Sequence, residues 1–267
     1  MNDKIIKYPR TKHIEGSRLQ KGDEDLSQIS FKNIKGKYIV IEEKVDGANT
    51  AISFNENKEL LLQSRGHYLR GGYRERHYDL FKLWANAHKD EFYDVISNRY
   101  IIYGEWLYAK HSIYYDKLPH FFLEFDVYDK VNKVFLDTKS RKELLKDLPI
   151  FSVPVLATGT FNKMDDILKY LKDSNYISNN HIDNLRNEAR KLNLDEELIL
   201  RQTDLEKTME GLYIKVEENG VVVDRMKYVR YTFLQTVEES ESHWLNRPIF
   251  PNKLDKNIED LFEVNYE

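Results

Sequence analysis

Short apolar runs rich in β-branched and aromatic residues recur along the chain and predict β-strands. The clearest is KYIVIEE at 37–43, which is typical of a buried strand and is followed by a predicted turn at Asp46 and Gly47. The same signal predicts strands at 50–54, 59–64, 99–107, 120–128, 151–157, 211–217 and 220–228. Strands are therefore expected along most of the chain, up to residue 228.

Helical spacing of apolar residues fills several of the gaps between these strands. It predicts one helix from Arg76 to Ser97, a second from Thr138 to Asp147, and two or three more over 163–209. The helical insertions differ in length, and several strands have plausible antiparallel neighbours. We therefore expect an α+β fold with mainly antiparallel sheets rather than a doubly wound parallel sheet.

Composition favours one main domain. The chain has 267 residues, of which 41% are hydrophobic, and this is enough for a substantial core. With 11 Gly and 6 Pro, it has no Pro/Gly-rich linker that would join small modules. We predict a domain over 1–230 and a short polar tail over 231–267 that packs back on it.

Charge and cysteine content exclude several classes. The 41 Lys and Arg against 45 Asp and Glu give a net charge of −4, which excludes a histone-like basic protein. Zero cysteines exclude disulfides, thiolate zinc sites and a Cys nucleophile, and fit a reducing cytoplasm. No apolar run approaches the roughly 18 residues of a membrane span, and residues 1–13 hold no signal core. We expect a cytoplasmic protein without a membrane partner.

The first candidate for chemistry is Lys44, at the end of the first strand. A lysine that is partly desolvated and surrounded by cations has a lowered pKa and becomes a nucleophilic amine. The alternative is a solvated lysine before a β-turn. Lys44-Val45-Asp46-Gly47 alone is a weak signal, because average composition produces Lys-x-Asp-Gly in roughly one chain in twenty of this length.

Further short elements follow Lys44 in strand-like contexts. In chain order they are Ser64-Arg65-Gly66, Tyr103-Gly104-Glu105, Phe125-Asp126, Glu210-Gly211-Leu212-Tyr213-Ile214-Lys215 and Arg225-Met226-Lys227. Together with Lys44-Val-Asp-Gly-Ala-Asn49, this series resembles the covalent nucleotidyltransferase superfamily of ligases and capping enzymes. The sequence is most similar to ATP-dependent RNA ligases of the RNA ligase 2 type. The resemblance runs from about Tyr38 to Arg230 and implies the ligase adenylation fold, which is similar to the ATP-grasp fold.

The resemblance implies three catalytic residues. Lys44 would take AMP from ATP through a phosphoramide bond, Lys227 would hold the α-phosphate, and Glu210 would help to position a divalent metal. Glu105 would be the second carboxylate near that metal. The implied cofactors are ATP and Mg²⁺, with Mn²⁺ as a possible substitute for Mg²⁺.

The resemblance also assigns residues to nucleotide binding. Phe125 would stack on the adenine, and Glu43 would lie near the adenine edge. The full set that it implies is Glu43, Asp46, Asn49, Arg65, Glu105, Phe125, Lys215 and Arg225. The family commonly has Lys-x-Lys in its last element, whereas here Arg225 replaces the first lysine and presents a planar fork rather than a point-like charge.

Each of these residues also has a purely structural interpretation. Taken singly, Glu105 and Glu210 would instead be surface carboxylates at strand ends. Phe125 continues an apolar strand and would then pack in the core. Asp126 is more typical of a turn or of a residue that supports its neighbours. The ordered series, rather than any one residue, carries the prediction.

A basic, aromatic segment points to a nucleic-acid substrate. Residues 64–78 (SRGHYLRGGYRERHY) combine arginines, which neutralise phosphates, with tyrosines, which offer stacking faces. Gly71 and Gly72 predict a flexible loop. The alternative is a solvated arginine-rich loop before the helix. The basic N-terminal 22 residues are a weaker second candidate for RNA contact.

Other chemistries lack their sequence signatures. There is no Gly-x-Ser-x-Gly elbow, the eight histidines lack metal-ligand spacing, and no Gly-x-x-x-x-Gly-Lys-Ser/Thr loop is present. We therefore set aside a serine hydrolase, a zinc enzyme and a P-loop ATPase.

The sequence thus predicts an ATP-dependent RNA ligase that joins a 5′-phosphate RNA end to a 3′-hydroxyl through a lysyl-AMP intermediate. The alternatives are a capping-type guanylyltransferase, which would use GTP, and a non-catalytic module that binds RNA ends. The 37 residues after Arg230 are too few for the OB-fold of capping enzymes and DNA ligases. They are also fewer than the C-terminal domain of RNA ligase 2-type enzymes, which leaves room for an end-healing partner protein.

Overall fold

The computed structural model describes residues 4–19, 28–239, 247–255 and 261–262. The strands are β1 Lys12–His13, β2 Ile39–Lys44, β3 Ala48–Phe54, β4 Leu60–Ser64, β5 Tyr100–Trp106, β6 Phe122–Asp129, β7 Val134–Leu136, β8 Phe151–Ser152, β9 Val155–Gly159, β10 Gly211–Glu218 and β11 Val221–Val229. The α-helices are α1 Asp79–Ala87, α2 Lys89–Ile96, α3 Thr138–Leu145, α4 Met164–Leu168, α5 His181–Lys191, α6 Glu196–Arg201 and α7 Tyr231–Glu239. Short 3-10 helices cover Phe31–Asn33 and Tyr73–Tyr78.

The strands form one sheet in the order β4-β3-β5-β6-β7-β11-β10-β2-β9, and all neighbours on this path are antiparallel. Two short parallel pairs, β1 with β11 and β8 with β6, are added beside it. The predicted α+β fold with mainly antiparallel strands is therefore confirmed.

The sheet folds back on itself. Lys215 in β10 lies 3.0 Å from Asp126 in β6, although β7 and β11 separate these two strands in the sheet order. The β3-β5-β6 face therefore lies opposite the β2-β10-β11 face, and the two enclose a cleft. The helices pack outside it: Trp84 of α1 is fully buried behind one half, and Ile167 of α4 behind the other.

Two predicted elements are divided in the structure. The strand expected at 151–157 is split at Pro154, because proline offers no N–H to a sheet and the chain changes partner there, from β6 to β2. The helix expected from Arg76 to Ser97 begins as a 3-10 turn and then breaks at His88 into α1 and α2. No helix in the described part of the chain is long and apolar enough to cross a membrane.

Gly47 and Gly211 are among the glycines that close backbone approach requires. A Cβ on Gly47 would lie 2.8 Å from the carbonyl oxygen of Trp106, and one on Gly211 would lie 1.9 Å from that of Tyr228. At the turn expected at Gly47, glycine is therefore required because a Cβ atom would clash with the carbonyl of Trp106. The residues that directly precede these two glycines, Asp46 and Glu210, belong to the predicted site.

The described part of the tail lies against the main body of the chain. Helix α7 buries Phe233 and Leu234, and Phe250 packs edge-on against Tyr114. The buried Asn252 donates to the carbonyl of Leu107 at 2.7 Å. The boundary predicted at residue 230 remains a prediction.

Candidate active site

Lys44 stands where β2 ends at the cleft. Its Nζ donates to Glu210 Oε2 at 2.7 Å, and its side chain is 23% exposed, whereas that of Glu210 is 3% exposed. Glu210 precedes β10, and the pairing of Lys44 with Gly211 across β2 and β10 brings the two side chains together. The ammonium is thus held at the edge of the solvent by a buried carboxylate.

The charge around Lys44 differs from the prediction. Burial opposes the ammonium form, but the carboxylates of Glu210, Glu105 and Asp46 outweigh it and raise the pKa of Lys44. The expectation of a lowered pKa was wrong for the chain alone, because carboxylates rather than cations surround the amine. Burial in turn raises the pKa of Glu210 to about 7 and that of Glu105 to about 8, although the ammonium of Lys44 opposes both shifts.

Glu105 lies across the cleft from Glu210. It pairs with Asn49 between β5 and β3, so both residues occupy the same face of the sheet. The positive charge of Arg65, which follows β4, acts on Glu105 and lowers its pKa in opposition to burial. The structure therefore brings Asn49, Glu105 and Arg65 to one side of Lys44.

Asp46 fixes the loop that follows Lys44. Its carboxylate accepts hydrogen bonds from the backbone N–H groups of Ser112 at 2.7 Å and Ile113 at 2.9 Å. Its own N–H donates to the hydroxyl of Tyr115 at 2.9 Å. The contacts of Asp46 thus tie the loop after Lys44 to residues 112–115, and burial raises the pKa of Asp46.

A second ionic group lies deeper in the cleft. Lys215 is fully buried and contacts Glu42 at 2.9 Å and Asp126 at 3.0 Å, and it also donates to the carbonyl of Phe125. Glu42 and Glu124 in turn pair with the fully buried Arg141. Lys215, predicted to take part in nucleotide binding, is thus already enclosed by carboxylates.

Arg225, Phe125 and Tyr8 form an aromatic and cationic wall beside this group. The Arg225 guanidinium lies 3.9 Å from the ring centre of Phe135, and its Nε lies 3.8 Å from Asp126. The ring of Tyr8 packs edge-on to Phe125 at 5.1 Å, and its hydroxyl contacts Asp126. Phe125 therefore faces the N-terminal segment as well as the cleft.

Lys227 lies on the same cleft face as Lys44. It pairs with Tyr213 between β11 and β10, and Tyr213 pairs with Glu42 of β2. Its positive charge acts to lower the pKa of Glu210, against the larger effect of burial. The positive charges of Lys44 and Lys227 thus both act on Glu210.

Glu43 points to the other side of the sheet. Strand alternation places it opposite Lys44 and Glu42, where its side chain is buried and accepts a hydrogen bond from Ser174. The structure therefore does not bring the Glu43 carboxylate together with the Lys44 group. Burial raises its pKa to about 7.

Replacing Glu43 by Gln is expected to make stability less dependent on pH. In the folded chain Glu43 keeps its proton up to about pH 7, whereas in the unfolded chain this carboxyl loses its proton near its ordinary pKa of 4.5. The free energy of unfolding of the wild type should therefore fall as pH rises through this window. Urea unfolding of both proteins at several pH values should show that the free energy of unfolding of Glu43→Gln rises relative to that of the wild type as the pH increases. The exposed Glu56→Gln is the matched control. If the difference in free energy of unfolding between Glu43→Gln and the wild type stays the same across this pH range, Glu43 is not a buried ionisable group.

The arginine-rich segment is partly tethered. The buried Glu75 accepts hydrogen bonds from the backbone N–H of Arg70 at 3.1 Å and of Gly71 at 2.7 Å. Arg70 is exposed, and Tyr73 is 81% exposed. The side chain of Arg74 lies outside the described residues. The loop predicted to be flexible is thus anchored at its centre and presents an arginine and a tyrosine outward.

Sequence reasoning missed several residues of the cleft. Glu42 could have been found from its position two residues before Lys44, since alternate strand residues share a face. Arg141 and Tyr8 carry no local signal, because Arg141 contacts Glu42, 99 positions away, and Tyr8 contacts Asp126, 118 positions away. Among the described residues, no group of three or more His, Asp or Glu is arranged to hold a metal ion.

Similar proteins were found among solved structures. An RNA ligase of Naegleria gruberi with PPi matches with a TM-score of 0.57 and 18% identity, over 88% of this chain and 58% of that one. A lysine-to-alanine mutant of the Naegleria RNA ligase with ATP and Mn gives 0.53 and 18%, over 78% and 54%. A glutamate-to-alanine mutant with ATP and Mn gives 0.52 and 16%, over 86% and 58%. These likenesses show a shared fold, and the chain spans little more than half the length of these enzymes.

The comparison with curated proteins finds no match. The RNA ligase family model, in contrast, matches residues 37–229, from just before β2 to the end of β11. This range is most of the chain and contains Lys44, Glu105, Glu210 and Lys227. The chain belongs to the RNA ligase family.

Proposed function

We propose that this protein is an ATP-dependent RNA ligase that works through a lysyl-AMP intermediate on a nucleotidyltransferase fold. The observation that carries the proposal is the setting of Lys44, part-exposed at the cleft, 2.7 Å from Glu210 and within the field of Glu105. A lysine that had a purely structural role before a β-turn would not need two buried carboxylates with raised pKa values beside it. Family membership and the similar Naegleria structures with ATP support the same conclusion.

In the first step the Lys44 nitrogen would form a bond to the α-phosphorus of ATP. The bond between that phosphorus and the bridging oxygen of the β-phosphate would break, and pyrophosphate would leave. The ammonium must lose its proton first, and any interaction that draws Glu210 or Glu105 away from it lowers the pKa of Lys44 toward the reactive form. Lys227 would stabilise charge on the α-phosphate.

Two further steps would complete sealing. An oxygen of the RNA 5′-phosphate would displace Lys44 from the AMP phosphorus and form a pyrophosphate linkage. The RNA 3′-hydroxyl would then attack the 5′-phosphate, and AMP would leave. Asn49, Arg65 and Glu105, which share one side of Lys44, would bind the ribose and phosphate of AMP.

The carboxylates fit a divalent cation. Glu105 and Glu210 are hard oxygen donors whose charged forms are disfavoured by burial, so that positive charge near them is stabilising. Two protein carboxylates, completed by phosphate and water oxygens, are a typical Mg²⁺ donor set. When bound, Mg²⁺ or Mn²⁺ would supply positive charge to the phosphates.

Incubation with labelled ATP or GTP and Mg²⁺, followed by denaturing electrophoresis, tests the proposal. We expect ATP to label the chain covalently and GTP to leave it unlabelled. Labelling by GTP alone would favour a capping-type guanylyltransferase. Absence of any label would favour a non-catalytic module that binds RNA ends, and would contradict the proposal.

RNA binding is expected to depend on the exposed part of the arginine-rich segment. Arg70→Ala should lower RNA affinity and reduce the log–log salt slope by roughly one, because one phosphate contact is lost. Tyr73→Ala should weaken affinity by removing a stacking face and leave the salt slope unchanged. RNA titrations across a salt series measure both effects, with Tyr38→Ala as the control for loss of an exposed tyrosine. Equal losses in AMP labelling would show that the segment serves the nucleotide pocket instead.

The proposed substrates are 5′-phosphate and 3′-hydroxyl RNA ends. An end-healing protein is proposed as a further partner. We also propose a cytoplasmic location, which rests on the absence of cysteine.

A further inference from the structure

The N-terminal segment, residues 4–13, crosses the cleft from one half of the sheet to the other. Near its start the carbonyl oxygen of Ile6 accepts hydrogen bonds from Gln63 Nε2 of β4 at 2.9 Å and from the Tyr103 hydroxyl of β5 at 2.8 Å. Its last two residues form β1, which pairs with β11. The segment therefore joins β4 and β5 to the opposite half of the sheet.

Inward side chains fix the middle of this segment. The Tyr8 hydroxyl contacts the carboxylate of Asp126 in β6 and the hydroxyl of Tyr213 in β10. The Thr11 hydroxyl lies 3.1 Å from the same Tyr213 hydroxyl. Because these contacts reach both halves of the sheet, they hold the segment in a defined course over the cleft.

The outward positions of the segment are basic. Lys4, Lys7, Arg10 and Lys12 are exposed, and no Asp or Glu occurs between residues 4 and 14. The whole chain carries a net charge of −4, so average composition does not account for this local excess of positive charge. Packing on the sheet does not account for it either, because other side chains of the segment make those contacts.

Each end of the segment lies beside a part of the chain that we propose to bind phosphates. Gln63, which holds the start, is two positions before Arg65 and directly precedes the arginine-rich segment 64–78. At the other end the backbone N–H of Ile14 donates to the carbonyl of Lys227 at 3.0 Å. The outward cations thus lie between the arginine-rich segment and the strand that carries Lys227.

We infer that the N-terminal segment binds the sugar-phosphate backbone of the RNA substrate next to the ends that are joined. This inference rests on the proposed function and adds to it a surface that holds the strand. Lysine ammonium groups neutralise phosphates without reading bases, so this binding is independent of RNA sequence and sensitive to salt. The inward contacts fix the segment in advance, which reduces the entropy that is lost when RNA binds.

The triple variant Lys4→Gln, Lys7→Gln, Lys12→Gln tests this inference. It should bind RNA on the order of 100-fold more weakly at about 0.1 M salt, with a log–log salt slope smaller by roughly one for each lysine. Fluorescence anisotropy across a KCl series measures both, with a 5′-hydroxyl RNA that cannot accept AMP. RNAs of two unrelated sequences should show the same loss. AMP labelling by ATP takes no RNA and should stay within about twofold of the wild type, because salt screens exposed charges.

A second triple variant controls for net charge. Lys35→Gln, Lys89→Gln, Lys163→Gln removes three exposed lysines from other parts of the surface and should keep its RNA affinity within about twofold. Equal losses in the two variants would overturn the inference, because only the overall charge would then matter. An unchanged affinity and salt slope in the first variant would also overturn it. So would an equal loss of AMP labelling, which would assign the segment to the nucleotide pocket.

Cross-linking tests whether the segment lies beside the RNA end. The chain has no cysteine, so Lys7→Cys introduces its sole thiol. An RNA with a bromoacetyl group on the phosphate nearest its 5′ end should react with Lys7→Cys about tenfold faster than with Lys35→Cys, since binding raises the local concentration of the group. In this reaction the thiolate displaces bromide and forms a thioether. Equal rates would overturn the inference.

These measurements separate the inference from the proposed function, because neither RNA binding nor cross-linking needs AMP transfer. RNA affinity that is lost in the first triple variant supports the inference even if Lys44 takes no AMP. A wild-type protein that takes AMP but does not bind RNA contradicts the inference and leaves the nucleophile in place.

Discussion

Lys44→Met is expected to abolish covalent labelling by ATP, a loss on the order of 10⁴-fold or more. Methionine keeps the length of the side chain but has no nitrogen that can bond to phosphorus. The lysine side chain is part-exposed at the end of β2, so the replacement should leave the sheet intact. Labelled ATP and denaturing electrophoresis measure the loss, and circular dichroism checks the fold.

The exposed Lys37→Met, just before the same strand, is the matched control and should label as the wild type does. Sealing of RNA that already carries a 5′-linked AMP should survive in Lys44→Met, because that step needs no lysyl-AMP. Undiminished labelling of Lys44→Met would place the nucleophile at another residue and contradict the proposed mechanism.

The second large effect is expected on stability. Lys215→Met should lower the free energy of unfolding by about 3 to 5 kcal/mol at pH 7, because it leaves Glu42 and Asp126 buried without their shared cation. Urea unfolding measures this loss. The exposed Lys163→Met should change the free energy of unfolding by less than about 0.5 kcal/mol.

A double replacement distinguishes charge from shape. Adding Asp126→Asn to Lys215→Met should cost less than the sum of the single replacements, since the amide removes one of the uncompensated charges. If Lys215→Met instead keeps its stability and loses affinity for ATP, the role implied by the family resemblance is correct and the buried ion group is not structural.

The sequence predicted the strands well where apolar runs were long. Runs at 37–43, 99–107 and 211–217 became β2, β5 and β10 within about two residues at each end. Lys44 and Glu210 were both singled out as chemistry, and the structure joins them across β2 and β10. An ordered series of short elements could predict this meeting because the elements lie on or beside strands that the sheet brings to one cleft.

The distribution of charge between the two cleft groups could not be predicted. Glu43, next to Lys44 in sequence, faces the back of the sheet, while Glu42 faces the cleft and pairs with Lys215. Strand alternation alone places Glu42 on the face of Lys44 and Glu43 on the other face, but the partners of Glu42, Lys215 and Arg141, come from distant parts of the chain and carry no local signal. The raised pKa of Lys44 likewise depends on Glu105, which is 61 positions away in the chain but adjacent in space.

The pairing of β1 with β11 has a consequence for how the chain folds during its synthesis. Residues 12 and 13 align with Met226 and Lys227, which are made roughly 200 residues later, about 10 to 40 s at ordinary ribosomal speed. Tyr8 is likewise synthesised roughly 200 residues before Tyr213, and the hydroxyl groups of these two tyrosines are in contact. Contacts between such distant positions form late. The cleft is thus completed only after β11 has been synthesised, and a ribosome-bound chain that stops short of Lys227 leaves its N-terminal segment undocked.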